Sequence, residues 1–196
     1  AITQSMNVVT TKFFVEDVGP DLAIDYCRKL GITTLTDSDY VESFALGGLT
    51  YGVTNLEMTG AYAAIANGGK YVRPVFYSKV LDRDGNVLLD NTNPEGEQVI
   101  KESTAYLLTS AMKDVVTQGT GTACALYDGM DVAGKTGTTT DSKDLWFVGY
   151  TPYLTAGVWL GYDQAYQMEG QLMETEHEYL LSLIHISEPT RLDVIS

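Results

Sequence analysis

The ten residues Gly129-Met-Asp-Val-Ala-Gly134-Lys135-Thr136-Gly137-Thr138 fit two incompatible structures. Read as G-x-x-x-x-G-K-[ST], they predict a loop that holds nucleotide phosphates, which must follow a buried strand and open a helix. Residues 137–142 downstream contain one glycine and three threonines, which are poor helix formers, and residues 145–150 look like a strand. These flanks disfavour the phosphate loop and favour an extended strand.

An extended strand gives each residue of this stretch a function. Thr136 and Thr138 share one face, because side chains alternate along a strand, so two hydroxyls can meet a substrate carboxylate. Gly137 leaves space for a substrate backbone, and Lys135 adds a positive charge that favours an anionic ligand and can tune a neighbouring hydroxyl. The alternative is an ordinary turn with a surface lysine.

A second short motif lies near the start of the chain. Ser5-Met6-Asn7 is an S-x-N sequence, whose plain alternative is a helix cap or a turn. The motif becomes informative through the order of the segments along the chain. S-x-N lies upstream of K-T-G, and residues 144–152 (DLWFVGYTP) follow just downstream of K-T-G.

Together these motifs resemble the transpeptidase domain of penicillin-binding proteins, most of all the bifunctional class A type. The other matching segments are residues 45–70, Arg73-Pro74 and Gly119-Thr-Gly121. The resemblance covers residues 1–163. It implies an α/β (α+β) fold, an antiparallel sheet flanked by helices of the β-lactamase/transpeptidase type, which is incomplete here.

The family implies a peptidoglycan D,D-transpeptidase, which transfers an acyl group from D-Ala-D-Ala stem peptides through a serine ester and is blocked by β-lactams. Its expected partners are therefore the peptidoglycan stem peptide and β-lactam antibiotics. Two alternatives remain open. One is a D,D-carboxypeptidase with water as acceptor, and the other is a β-lactam sensor or inactive homologue that binds stem peptides.

The resemblance also implies a role for individual residues. Ser5 would relay a proton to the leaving nitrogen, with Lys135 beside it to support the relay, and Asn7 would hold the substrate amide. Thr136 and Thr138 would bind the carboxylate on either side of Gly137, and the backbone N–H of Thr138 would be one oxyanion donor.

The family's nucleophile lies in an S-x-x-K motif that precedes S-x-N, and four residues precede Ser5 here. The later match Ser110-Ala-Met-Lys113 is interpreted as the solvated face of a helix over residues 103–117, whose apolar stripe includes Leu107 and Met112. We therefore expect the nucleophile to lie outside this chain, and the chain to be inactive alone.

Composition limits the other functions. The 196 residues are 44% apolar, enough for one core, and a net charge of −14 argues against nucleic-acid binding. Cys27 and Cys124 lack metal-ligand spacing, and neither a metal nor a cofactor is expected. The sequence has no recognisable signal peptide or membrane helix. The resemblance implies a domain at the extracytoplasmic face of the bacterial membrane, attached through an N-terminal anchor that is missing here.

Local patterns predict the main elements. Pro20 opens a helix over residues 21–30, and a capping box at residues 54–57 opens a second helix that ends before Gly68-Gly69. Residues 71–81 and 87–89 predict a hairpin. Three successive antiparallel strands are expected from Lys135 onward, with a turn at residues 150–153.

Three regions are expected along the chain. Residues 1–165 form the C-terminal part of a penicillin-binding transpeptidase domain, and residues 166–181 form an acidic tail. Residues 182–191, SLIHISEPTR, resemble the translation of sequencing-adapter DNA. We expect residues 182–196 to be non-native, so that His177 and His185 carry no metal site.

Overall fold

Three α-helices, four short strands, a fourth helix and three longer strands follow one another along the residues that the computed structural model describes, which are 1–126, 129–164 and 166–168. The α-helices are α1 (Asn7–Phe13), α2 (Pro20–Lys29), α3 (Asn55–Ala66) and α4 (Glu102–Gln118). The strands are β1 (Lys70–Val72), β2 (Lys79–Leu81), β3 (Val87–Asp90), β4 (Gly96–Gln98), β5 (Ala133–Thr138), β6 (Asp144–Tyr150) and β7 (Thr155–Gly161).

The three-stranded sheet β5-β6-β7 is antiparallel throughout and positions the K-T-G stretch. Lys135 pairs with Val148 and Gly137 with Trp146 on β6, the central strand. Both predictions about this region are confirmed: the K-T-G stretch is a strand, and two further strands of the same sheet follow it.

The core lies between this sheet and the two longest helices. Met112 of α4 and Ile65 of α3 pack with Tyr150 of β6 in one buried cluster. Val116 of α4 packs with Phe147 of β6 in a second cluster. Helix α4 thus lies against the strand that carries Lys135, and its C-terminal end is held beside that strand. The fold is the predicted mixture of helices and an antiparallel sheet.

Helix ends follow the predicted signals. Pro20 occupies the first turn of α2, whose interior isoleucine Ile24 is fully buried. Thr54 caps α3 by accepting from the Glu57 backbone, and the Glu57 carboxylate accepts in return from the Thr54 backbone N–H (3.0 Å). The same carboxylate accepts from Thr33, and these hydrogen bonds to Thr33 and Thr54 lower the pKa of Glu57 to about 2 against the opposing effect of burial.

Two details of the sequence prediction are wrong. The segment 71–81 is not one strand, because β1 pairs with β4 and β2 pairs with β3, with Pro74 between them. Proline removes a ladder donor, so the strand ends before it. The second wrong detail concerns Leu107, which was predicted to lie on the apolar stripe of α4 but is 68% exposed. The helix itself has the predicted extent to within one residue at each end.

Several predicted features lie outside the described residues. These are most of the acidic tail, the residues 182–196 expected to be non-native, and both histidines. Among the helices that are described, none combines the length and the apolar character needed to cross a bilayer.

A buried carboxylate organises the loop between α2 and α3. Asp39 is 1% exposed, and its two oxygens accept four hydrogen bonds, from the backbone N–H and hydroxyl of Thr36 and of Thr50. These bonds lower the pKa of Asp39 from 3.8 to about 2. A folded-state pKa below the unfolded value means that the contribution to stability is complete above pH about 4 and disappears as pH falls toward 2.

Asp39→Asn is therefore expected to destabilise the chain at neutral pH and to flatten its acid sensitivity. An amide places an NH₂ group where four donors converge, so at least one buried donor loses its partner. Urea unfolding midpoints between pH 7 and pH 2.5 measure both effects. Asp37→Asn, an exposed neighbour in the same turn, is the control. An equal pH dependence in both variants would contradict the assignment.

Candidate active site

Lys135 is the centre of the polar cluster at β5. Its side chain is half-buried, and Nζ donates to the Ser5 hydroxyl oxygen, to the Thr136 carbonyl oxygen (2.8 Å) and to Thr136 Oγ1 (3.4 Å). These three acceptors match the three N–H donors of an ammonium group. Burial lowers the pKa of Lys135. The structure thus brings Ser5 to Lys135, 130 residues further along the sequence, and to the adjacent Thr136.

Ser5 reaches Lys135 because the start of the chain docks on the end of α4. The backbone N–H of Thr120 donates to the Thr3 carbonyl (3.2 Å), and the Gln4 amide donates to the Gln118 carbonyl (3.3 Å). Gly119 permits this approach, since an added Cβ would collide with the Thr3 carbonyl oxygen. A close backbone contact therefore requires a glycine at position 119, the first residue of the Gly119-Thr-Gly121 motif.

Strained backbone occurs at Ser5 of this cluster and in the turn after β5. Among the described residues, the non-glycine residues with positive φ are Ser5 (49°), Asp141 (61°) and Ser142 (51°). One is the Ser5 of S-x-N, and the other two lie in the turn that follows K-T-G. Such conformations cost free energy and persist only where surrounding contacts impose them, and they collect at functional sites.

Asn7 is the least engaged of the predicted site residues. It is the first residue of α1 and is exposed, and its side chain forms no hydrogen bond within the part of the chain that the structure describes. Asn7 follows Ser5 by two residues in the sequence, and its side-chain amide is not hydrogen-bonded to Lys135. Its role as a substrate ligand stays a prediction.

The two threonines of the motif occupy the same face of β5 but have different surroundings. Thr136 is half-buried, and its hydroxyl is hydrogen-bonded to that of Thr120 (2.7 Å). Thr138 is exposed at the end of the strand, and a Cβ on Gly137 between them would lie 3.3 Å from the Trp146 Cβ. Sequence reasoning missed the contact of Thr120, although the glycines on both sides of it signal a fixed loop.

Among the described residues, the outer edge of β5 has no neighbouring strand. In the described sheet β5 pairs only with β6, so its other edge is free to pair with an extended chain. An extended peptide can add to such an edge as a further strand, with backbone hydrogen bonds giving affinity and side-chain contacts giving specificity. Lys135 and Thr136 of the polar cluster belong to this strand.

A second set of bonds closes the turn after β5. The Asp144 carboxylate accepts from the Trp159 indole N–H (3.0 Å) and from the Thr139 hydroxyl (3.1 Å), whose oxygen accepts in turn from the Asp144 backbone N–H (2.8 Å). In the sequence, Asp144 is recognisable only as the first residue of the family-like segment 144–152. These hydrogen bonds fix the end of the strand that carries Thr138.

The S-x-x-K match on α4 has the surroundings of a solvated helix face. Ser110 is exposed, and Lys113 forms an ion pair with Asp131 (2.6 Å) at the surface.

The two cysteines do not pair, and burial raises the pKa of Cys124 to about 12. Within the described ranges, no three His, Cys, Asp or Glu side chains are grouped as metal ligands would be.

Comparisons with known proteins agree on one family. The family described as "Penicillin binding protein transpeptidase domain" matches residues 1–173. Penicillin-binding protein 1A of Clostridium acetobutylicum is 40% identical over 166 residues, which are 84% of this chain and 20% of that protein. Penicillin-binding protein 1A of Aquifex aeolicus is 38% identical over 163 residues, 83% of this chain and 21% of that protein.

The fold has solved counterparts. The structure of PonA1 from Mycobacterium tuberculosis in complex with penicillin V is 25% identical, with a TM-score of 0.75, and the match covers 95% of this chain and 55% of that one. The chain therefore belongs to the penicillin-binding protein transpeptidase family, and it is similar to class A members. It spans about a fifth of the length of the curated relatives it matches.

Gly119→Ala is expected to displace the segment that carries Ser5. The added methyl overlaps the Thr3 carbonyl, and relieving such an overlap costs about 1–3 kcal/mol. Hydrogen exchange should show lost protection for the amides of residues 5, 6 and 120, together with a lower thermal midpoint.

Gly121→Ala is the matched control for this change. Its φ of −111° is nearly the −112° of Gly119. Its Cβ would meet a Val115 methyl at 3.2 Å and the Val115 carbonyl oxygen at an ordinary 3.4 Å, and Thr3 is not among its nearest atoms. Equal loss of protection in both variants would show that the Thr3 contact does not dock the segment.

Proposed function

We propose that the protein carrying this chain is a peptidoglycan D,D-transpeptidase, and that this chain supplies its proton relay and carboxylate site. The observation that carries the proposal is the hydrogen bond from the Lys135 ammonium to the Ser5 hydroxyl, beside the open edge of β5. Membership of the family supports it.

The direction of this bond determines the chemistry of Ser5. An ammonium can only donate, so the Ser5 oxygen must accept, and its own proton remains available for another acceptor. A leaving amine nitrogen is such an acceptor. Lys135 therefore holds Ser5 in the orientation needed for a general acid, in keeping with the role that the family resemblance implies.

The acyl transfer follows in two balanced steps. A serine hydroxyl from outside this chain attacks the carbonyl carbon between the two D-Ala residues, a C–O bond forms, and the C–N bond breaks. The leaving D-Ala nitrogen takes the proton of Ser5, and the proton released by the attacking hydroxyl replaces it on Ser5. An acceptor amine then attacks the ester carbon and loses a proton to the departing serine oxygen, which restores the serine hydroxyl and leaves a new amide. During attack, the backbone N–H of Thr138 would stabilise the developing oxyanion.

The substrate carboxylate would bind at the end of β5. Lys135 supplies a positive charge within a chain whose net charge is −14, and Thr136 and Thr138 present hydroxyls on one face. The same site would hold the carboxylate of a β-lactam. Asn7 would contact the substrate amide from the start of α1.

Family membership also supports a location, and we propose that the protein acts at the extracytoplasmic face of the bacterial membrane.

Lys135→Met in the full-length protein is expected to lower the rate of labelling by a fluorescent penicillin about 100-fold or more, because both the relay and the carboxylate site lose their cation. Lys113→Met, which removes a surface ion pair on α4, is the matched control and should label like the wild type. Labelling is followed over time on denaturing gels. Equal rates for the two variants would refute the assigned role of Lys135.

Product analysis with a stem pentapeptide and an acceptor amine separates the remaining functions. A cross-linked product identified by mass supports a transpeptidase. Release of D-Ala without a cross-link supports a carboxypeptidase, and labelling by penicillin with neither product supports a sensor or an inactive homologue.

A further inference from the structure

We infer that Thr120 is a positioning residue of the same site: it directs the Thr136 hydroxyl toward the substrate carboxylate. This inference rests on the proposed function. The residue lies on the loop after α4, and it joins the two segments that form the site.

Both the backbone and the side chain of Thr120 are engaged. Its N–H donates to the Thr3 carbonyl (3.2 Å), which holds the segment of Ser5, and its hydroxyl contacts the Thr136 hydroxyl (2.7 Å). Thr120 is thus hydrogen-bonded both to strand β5 and to the segment that brings Ser5 to Lys135.

The loop that carries Thr120 is fixed to the core. The N–H groups of Gly119 and Gly121 both donate to the carbonyl of Val115 (3.1 and 3.0 Å), and Val115 is fully buried. The position of the Thr120 hydroxyl is therefore set by the last turn of α4 and not by a flexible loop.

The hydrogen-bonding capacity of Thr136 determines what Thr120 does. A hydroxyl has one proton and two acceptor lone pairs. Lys135 donates toward Thr136 Oγ1 at 3.4 Å, and Thr120 donates to it at 2.7 Å in the arrangement that we infer. Both lone pairs are then occupied, and the Thr136 proton is left to point at a ligand. A carboxylate, which only accepts, is the ligand that this proton suits.

Removing the Thr120 hydroxyl should therefore weaken recognition of the carboxylate more than it slows the chemistry. Thr120→Val keeps the side-chain shape and the backbone N–H but leaves Thr136 free to rotate. Thr120→Ser keeps the hydroxyl. Thr122→Val, in the same loop and exposed, with no side-chain hydrogen bond among the described residues, is the matched control.

The experiment measures acylation of the full-length protein by benzylpenicillin and by its methyl ester, separating the dissociation constant of the initial complex from the acylation rate constant. For Thr120→Val we expect this dissociation constant to rise about three- to tenfold for benzylpenicillin, the size of one hydrogen bond, and to be unchanged for the ester. Thr120→Ser should restore the wild-type value, and Thr122→Val should match it.

A double variant tests whether Thr120 acts through Thr136. Adding Thr120→Val to Thr136→Val should cause no further loss, because the shared interaction is already gone. Additive losses, equal losses for benzylpenicillin and its ester, or no effect of Thr120→Val would each overturn the inference. A wild-type protein that is not acylated at all would overturn the proposed function and this inference with it.

Discussion

The contact between Lys135 and Ser5 is the interaction on which the candidate site depends. It joins the first residues of the chain to the central sheet across 130 residues of sequence. The contact requires the fixed loop at Gly119, the strand conformation of β5 and the left-handed turn at Ser5 together. Each of these is a local feature with its own physical cause, and the site exists only where all three coincide.

The sequence predicted those features that depend on neighbours along the chain. The strand at Lys135 followed from its β-branched flanks, and the start of α3 followed from the capping box of Thr54 and Glu57. Such signals lie within a few residues, so periodicity and capping chemistry suffice to predict them. The resemblance to a family then supplied roles for residues that are distant from one another.

The features that the sequence did not predict depend on distant partners. Strand β1 pairs with β4, which begins 26 residues after Lys70, and no local pattern identifies that pairing. Leu107 continues an apolar stripe on α4 but is exposed, and helical periodicity alone does not identify which residues of a stripe are covered. Thr120 has an ordinary sequence environment apart from its two glycines, and its contact with Thr136 appears only when the loop and the strand are packed together.

The open edge of β5 has a consequence for the folded chain itself. An unpaired edge leaves backbone N–H and C=O groups that a neighbouring strand would satisfy, which is a liability in most sheets. A ligand that pairs with this edge acts as the sheet's fourth strand, so binding and completion of the fold become the same event. Occupancy then contributes to conformational stability by mass action.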